Sequence, residues 1–226
     1  MTEEVKKFKG IFEGLESAYG QTVKTDQFDE RGKHKTKSFT VSKPPIDSLW
    51  KDHLNGKDPA LGIVPINKEN KCKWGCIDVD EYPLDHIKII KKLKQKGVDS
   101  TIVFRSKSGG AHIFLFTKNF IPAITMREKL KTIAAALGYS KSEIFPKQDY
   151  IRVDRGDTGS FLNLPYHGNG STVRYAFDDE GKSLTLEEFY NFYNKKVLTE
   201  EKFSEIKVKN AEDKNDDFKG MPPCLV

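Results

Sequence analysis

Between Lys73 and Phe145 the order of apolar runs, prolines and glycines admits few folds. Lys73-Trp74-Gly75-Cys76-Ile77-Asp78-Val79-Asp80 reads as a strand. Strand side chains alternate, so Trp74, Cys76, Asp78 and Asp80 share one face and Gly75, Ile77 and Val79 the other. Pro83 suits a helix start. The stretch 85–96 then sets Ile87, Ile90 and Leu93 on one helical face and closes at Gly97. Two β-rich runs, 101–105 and 111–116, flank Ser106-Lys107-Ser108-Gly109-Gly110 and predict a hairpin or close strand pair. A helix over 124–137, ended by Gly138, and a short strand over 142–145, stopped by Pro146, complete the series. This strand–helix–strand–strand–helix–strand order predicts a split βαβ sheet with helices on one face, an α+β class of fold.

The flanks are less regular. Val5, Phe8, Ile11, Phe12, Leu15 and Ala18 predict an amphipathic helix over 2–18, with Gly20 as its stop. The charged stretch 24–37 reads as an exposed loop, 38–42 as a short strand, 47–54 as a short helix ended by Gly56, and 60–66 as a buried or edge strand. Past 145 the expectations are a polar loop over 147–159, strands over 161–164 and 172–177, and a helix over 185–197 opened by Thr185. Residues 198–219 are highly charged and read as a linker, and 221–226 as the start of another element of a longer parent chain.

Composition narrows the class. No apolar run approaches the roughly 18 residues of a membrane span, and 1–7 is polar, without the pattern of a secretory signal. The net charge of +5 permits polyanion binding without requiring it. Three cysteines, an odd number, suggest reduced thiols and a cytoplasmic setting. Cys72 and Cys76 have a spacing poorly suited to a zinc knuckle, and no second Cys/His pair stands near in sequence, although His86 and His112 can approach in space. Zinc is not expected.

Two stretches carry chemistry. Asp78 and Asp80, about 7 Å apart on one strand face, can share one or two hard cations, which prefer oxygen ligands. Alternatively they cap the helix that follows near Pro83. The turn Ser106–Gly110 offers hydroxyls, a lysine charge and glycines that let backbone N–H groups approach an anion, the properties of a phosphate cradle. An ordinary glycine hairpin has the same composition. Arg105 precedes the turn and His112 follows it, at the start of an otherwise apolar strand. There an imidazole can donate to a phosphate or be a satisfied core histidine.

Taken together, the aspartate strand, the Arg-Ser-x-Ser-Gly-Gly-x-His turn one helix later, and Glu143-Ile144-Phe145-Pro146-Lys147-Gln148 resemble the archaeo-eukaryotic primase superfamily, in particular its phage- and plasmid-type primase-polymerase branch. The resemblance implies an RRM-like split βαβ catalytic sheet preceded by an N-terminal α/β subdomain. It places a catalytic domain over 1–197, divided at 58/59, and a linker with the start of a further module over 198–226. It implies Asp78 and Asp80 as catalytic metal ligands for two Mg²⁺ or Mn²⁺ ions, with Glu143 as the third carboxylate against Asp149, Asp154 and Asp157. It implies Ser108 and His112, with Arg105, Ser106, Lys107, Gly109 and Gly110, as the triphosphate site. Asn163-Leu164-Pro165-Tyr166-His167 is similar to a stretch that follows in this branch, and Lys147, Gln148, Asn163 and His167 are further candidates for nucleotide contact. Turn chemistry around Pro165 is the other reading of Asn163 and His167.

The activity implied is DNA priming and polymerisation from NTPs or dNTPs on a single-stranded DNA template, in replication of a phage or mobile element. The setting is a bacterial or phage-infected cytoplasm, without membrane attachment, with a helicase or a C-terminal priming module as possible partner. Basic residues beside aromatics suit a template: Arg31, Lys33, Lys35 and Lys37, then Lys107, and Arg152 and Arg155 near Tyr150. Two other readings compete. A nicking replication initiator wants paired metal-binding histidines and a helical tyrosine; Tyr190 and Tyr193 lie on a predicted helix, but His112 has no histidine partner two residues away. A non-enzymatic single-stranded DNA-binding module has no need of carboxylates that repel phosphate.

Overall fold

The computed structural model describes residues 2–28, 32 and 34–209. Two four-stranded antiparallel sheets and six α-helices make up the described chain. The central sheet holds β4 (Lys71–Val79), β5 (Ile102–Arg105), β6 (Ala111–Pro122) and β7 (Glu143–Phe145) in the order β5-β6-β4-β7. With α3 (His86–Gln95) and α4 (Ala123–Leu137) between strands, this is the split βαβ arrangement expected from 74–145. Asp85 caps α3, its side chain accepting from the Lys88 N–H at 3.0 Å, and Gly138 ends α4 in the left-handed conformation.

Alternation along β4 divides the interior into two cores. Ile77 and Val79, with Val103, Ile113 and Leu115 from the neighbouring strands, pack under α3 and α4. Trp74 and Cys76, with Phe104, Phe114, Phe116 and Phe145, pack the other way, against α1 (Glu3–Phe12), α5 (Leu186–Lys196) and the second sheet. Each such side chain contributes about 1.5–3 kcal/mol on burial. Both faces are therefore covered along most of β4, and the face of the aspartates opens only at the strand's C-terminal end.

The second sheet comes mostly from the N-terminal part, in the order β2-β1-β3-β8. It consists of β1 (Tyr19–Phe28), β2 (His34–Val41), β3 (Ala60–Ile63) and the two-residue β8 (Leu162–Asn163). The expected loop over 24–37 is thus largely a hairpin: β1 and β2 pair from Tyr19↔Val41 to Phe28↔His34. Gly20 does not stop a helix. It sits in β1 opposite Gly62 of β3, and the Phe161 ring lies on the pair so closely that a Cβ on either would fall 2.0 or 2.3 Å from ring atoms. The first helix is shorter than expected because Gly14 backs onto the Val64 carbonyl and the Leu15 N–H donates to it at 2.9 Å. Leu15 and Ala18 then enter the core under α3 and α4, not the core of Phe8 and Phe12.

Two further expectations change. Residues 172–177 form no strand, only isolated bridges such as Phe104↔Ala176. The start of the expected linker is part of the folded unit. Thr199 caps α6 (Glu200–Glu205), Phe203 is buried, Leu198 N–H donates to the Phe116 carbonyl at 3.0 Å, and Lys209 N–H to the Lys96 carbonyl at 3.0 Å. The short helix α2 (Asp47–Leu54) matches its expected bounds. The apolar end at 221–226 lies outside the described residues.

Candidate active-site cleft

The register of the central sheet sets one row of side chains across it. Asp78 of β4 is directly opposite His112 of β6 and Glu143 of β7, and His112 is opposite Phe104 of β5. Directly opposed residues share a face, so this row continues the Trp74–Cys76 face beyond its aromatic packing. Side chains of Asp78 and His112 keep only 16% and 13% of their exposure. His112 Nε2 lies 3.3 Å from Asp78 Oδ1, yet that oxygen is buried without a well-aligned hydrogen bond. A buried carboxylate oxygen without a donor is costly, and it is the kind of atom a hard cation satisfies. Asp80, just past β4, is exposed, and its Oδ1 accepts from the Tyr82 hydroxyl at 2.9 Å.

Of the four acidic candidates after β6, Glu143 alone is in register with Asp78. Its carboxylate is paired at 2.7 Å with Lys147, whose ammonium lies 5.0 Å over the Phe145 ring. Asp149 is taken by Arg127. Asp157 accepts from the Arg152 backbone N–H at 3.0 Å, and Asp154 lies on a 3₁₀ turn, Val153–Arg155. Among the described residues no three His, Cys, Asp or Glu side chains already converge as a closed metal cage. The arrangement is an open pair of aspartates with Glu143 on the neighbouring strand. This donor set is all oxygen, and it fits Mg²⁺ or Mn²⁺. The thiols offer nothing comparable: Cys72 and Cys76 point into different cores, and burial pushes Cys72 up to about 12 and Cys76 well above the ordinary thiol range.

The turn is fastened to the aspartate strand. A Cβ on Gly110 would lie 2.3 Å from the Val79 carbonyl oxygen, so only glycine lets the turn approach between Asp78 and Asp80. Ser106 N–H donates to Gly110 O at 2.8 Å, Gly109 N–H to Ser106 O at 3.1 Å, and the His86 ring lies 3.0 Å from Gly110 O. The Ser106 hydroxyl is buried without a partner, a second orphaned polar atom in this site. Lys107 and Ser108 line the cleft, and Tyr82 reaches Ser108 as well as Asp80. Arg105 does not line it: its guanidinium is held by the carbonyls of Ser106 and Val173 at 3.3 and 3.1 Å.

Asp78, Asp80, His112 and the turn form one wall of a cleft of about 640 Å³. Thr22, His34, Thr36 and Ser38 of the β1–β2 hairpin, with Asp58, Asn163 and Arg174, form the other. Thr22, Ser38 and Asn163 are joined by hydrogen bonds of 2.9 and 3.1 Å through the Thr22 hydroxyl. Arg174 is half-buried, its guanidinium donating to the Leu164 carbonyl at 3.3 Å, and burial lowers its pKa.

Several candidates lie elsewhere. Gln148 clamps its own loop through Ser160, with bonds of 3.0 and 3.1 Å. His167 lies 3.1 Å from the Lys57 carbonyl and 3.7 Å from Asp58, beside the cleft rather than in its lining. Lys35 and Lys37 alternate with the cleft-lining residues 34, 36 and 38, so they sit on the opposite face of the hairpin. Arg152 and Arg155 flank Val153, which lines a separate groove beside Gly14 and Pro45. Arg31 and Lys33 lie outside the described residues. Sequence reading missed Thr22, His34, Ser38, Tyr82 and Arg174. Tyr82 is signalled only by its place just after Asp80, and Arg174 by nothing in the local pattern.

The family model described as "TOTE conflict system, Archaeo-Eukaryotic Primase domain" matches residues 3–206. No curated protein matches. Among solved structures, similarity is found to the AEP domain of the cyanophage S-2L primase-polymerase, at 11% identity and a TM-score of 0.47, over 84% of this chain and 96% of that one. It is also found to the catalytic domain of the primase RepB′ in complex with initiator DNA, at 11% identity and a TM-score of 0.38, over 84% of this chain and 92% of that one.

Proposed function

Because the chain belongs to the archaeo-eukaryotic primase domain family of TOTE conflict systems, whose members are primase-type nucleotidyltransferases, we propose that its cleft extends a 3′-hydroxyl with NTPs or dNTPs on a single-stranded DNA template. The observation that carries this reading is the buried Oδ1 of Asp78, which makes no well-aligned hydrogen bond despite His112 at 3.3 Å, in register with Glu143 and facing the turn that holds the orphaned Ser106 hydroxyl. Asp78 and Asp80, with Glu143, are the residues that would hold two Mg²⁺ or Mn²⁺ ions. Bound there, such ions supply Lewis-acid polarisation and offset the charge of the reacting phosphates.

The chain's own groups do the rest. Lys107, Ser108 and His112 on one wall and Arg174 on the other bring donors and positive charge to a triphosphate between them. In the reaction the 3′-oxygen bonds to the α-phosphorus, the bond to pyrophosphate breaks, and the hydroxyl proton passes to solvent. Asn163, bonded to Thr22, stiffens the wall across which sugar and base must lie. His112 beside Asp78 keeps a phosphate donor in place before substrate arrives. The setting we propose is the conflict system of the family's name, in a cytoplasm, rather than phage replication. The folded catalytic unit runs through α6, with any helicase or priming module beyond it.

The test is incorporation of labelled nucleotide on single-stranded DNA, with and without an annealed primer, in Mg²⁺ and in Mn²⁺. Metal-dependent product that disappears in the Asp78→Asn, Asp80→Asn double variant is the expected result. Product that survives in a folded double variant puts the chemistry elsewhere. Binding of the DNA strand without any incorporation favours a non-enzymatic module.

A further inference from the structure

We infer that the last described pair of the β1–β2 ribbon is a base-stacking platform, Phe28 against His34, that holds an unpaired nucleobase of a single-stranded polynucleotide at the mouth of the cleft. The inference takes its setting from the template-directed reading above. β1 pairs with β3 only from Gly20 to Thr22, while it pairs with β2 as far as Phe28↔His34. Beyond Thr22 the hairpin is therefore a two-stranded ribbon that projects past its own sheet.

At the last described pair of this ribbon the Phe28 and His34 rings stand 4.4 Å apart at an interplanar angle of 36°. Phe28 is 57% exposed, a large apolar ring left in solvent where its strand pairs with β2. His34 does not swing freely: its Nδ1 lies 2.8 Å from the Thr25 carbonyl, so Nδ1–H donates and the ring plane is fixed. His34, Thr36 and Ser38 line the cleft, and Phe28, directly opposite His34, shares their face. A pre-set aromatic pair open to solvent suits a base that passes along it, because every base has a π-face and stacking tolerates sequence. The hydroxyls of Thr36 and Ser38 lead from the platform toward the carboxylates. Lys35 and Lys37, exposed on the ribbon's other face, add charge attractive to a polyanion.

The experiment is fluorescence anisotropy of the full chain with a labelled oligothymidylate and with an abasic strand of equal length, without nucleotide or turnover. Phe28→Ala is expected to weaken binding to the oligothymidylate about 5- to 150-fold and to leave binding to the abasic strand unchanged. Phe28→Trp is expected to restore it. Equal loss on both strands, or no loss on either, overturns the platform. So does a Phe28→Ala variant that raises only the KM for nucleotide, since the rings would then serve the incoming base. A platform-dependent Kd in a protein that never incorporates nucleotide keeps this inference and sinks the polymerase reading. Incorporation with a Kd indifferent to Phe28 does the reverse.

Discussion

Single atoms decide what the cleft tolerates. Gly110 is the clearest case, since its missing side chain is where the Val79 carbonyl lies. Gly110→Ala must move either the turn or the end of β4, and overpacking of this kind costs about 1–3 kcal/mol. A raised KM for nucleotide together with a lower urea midpoint is expected, and an unchanged KM would show that the turn does not touch substrate. His53 makes a different demand. Its Nδ1 accepts from the Leu61 N–H at 3.0 Å and its Nε2–H donates to the Pro165 carbonyl at 2.7 Å, so it is needed neutral, and burial pushes its pKa down to about 3. The folded pKa lies below the unfolded value of 6.5, so the stability is full above pH 6.5 and drains as pH falls from there toward 3. The slope is about 1.4 kcal/mol per pH unit for one proton. Urea titrations between pH 7 and 4 should show it, and His53→Gln should remove that one-proton component.

Elements explain where sequence reading worked and where it did not. β4, β5 and β6 were legible because their residues alternate between two buried layers and are punctuated by Gly and Pro. β2 was not, because every residue from His34 to Phe39 is exposed and lysines interrupt any apolar pattern. The hairpin it forms supplies much of the second cleft wall, so Thr22 and Ser38 stayed out of sight while Asp78, Asp80 and the glycine turn did not. Glu143 was preferred over its neighbours through the resemblance alone, and pairing with β4 adds a physical ground, its register with Asp78. α6 was hidden by charge, since Phe203 is its one buried residue. Phe203→Ala is therefore expected to cost about 3–5 kcal/mol, measured by chemical unfolding. A loss below about 0.5 kcal/mol would return 198–209 to linker status. At α5, Thr185 and Glu188 form a reciprocal cap. Thr185→Ala should cost about 1 kcal/mol.

At the scale of the molecule, β4 belongs to both cores, so neither can melt while the other stays packed. Trp50 and Trp74 report the aromatic core and far-ultraviolet circular dichroism reports both sheets. The two signals are expected to fall in one coincident transition. Separate midpoints would mean that the N-terminal sheet unfolds on its own.

The shared strand also limits how such a site can change over generations. Side chains on β4 take alternate sides, so losing one residue between Trp74 and Asp78 would turn the carboxylate into the layer of α3 and α4 and swing apolar residues into the cleft. Fold and chemistry would fail in the same step. Length changes in this strand are closed to drift, and variation among working copies must come through substitution, or through insertions in the loops that lie beyond its ends.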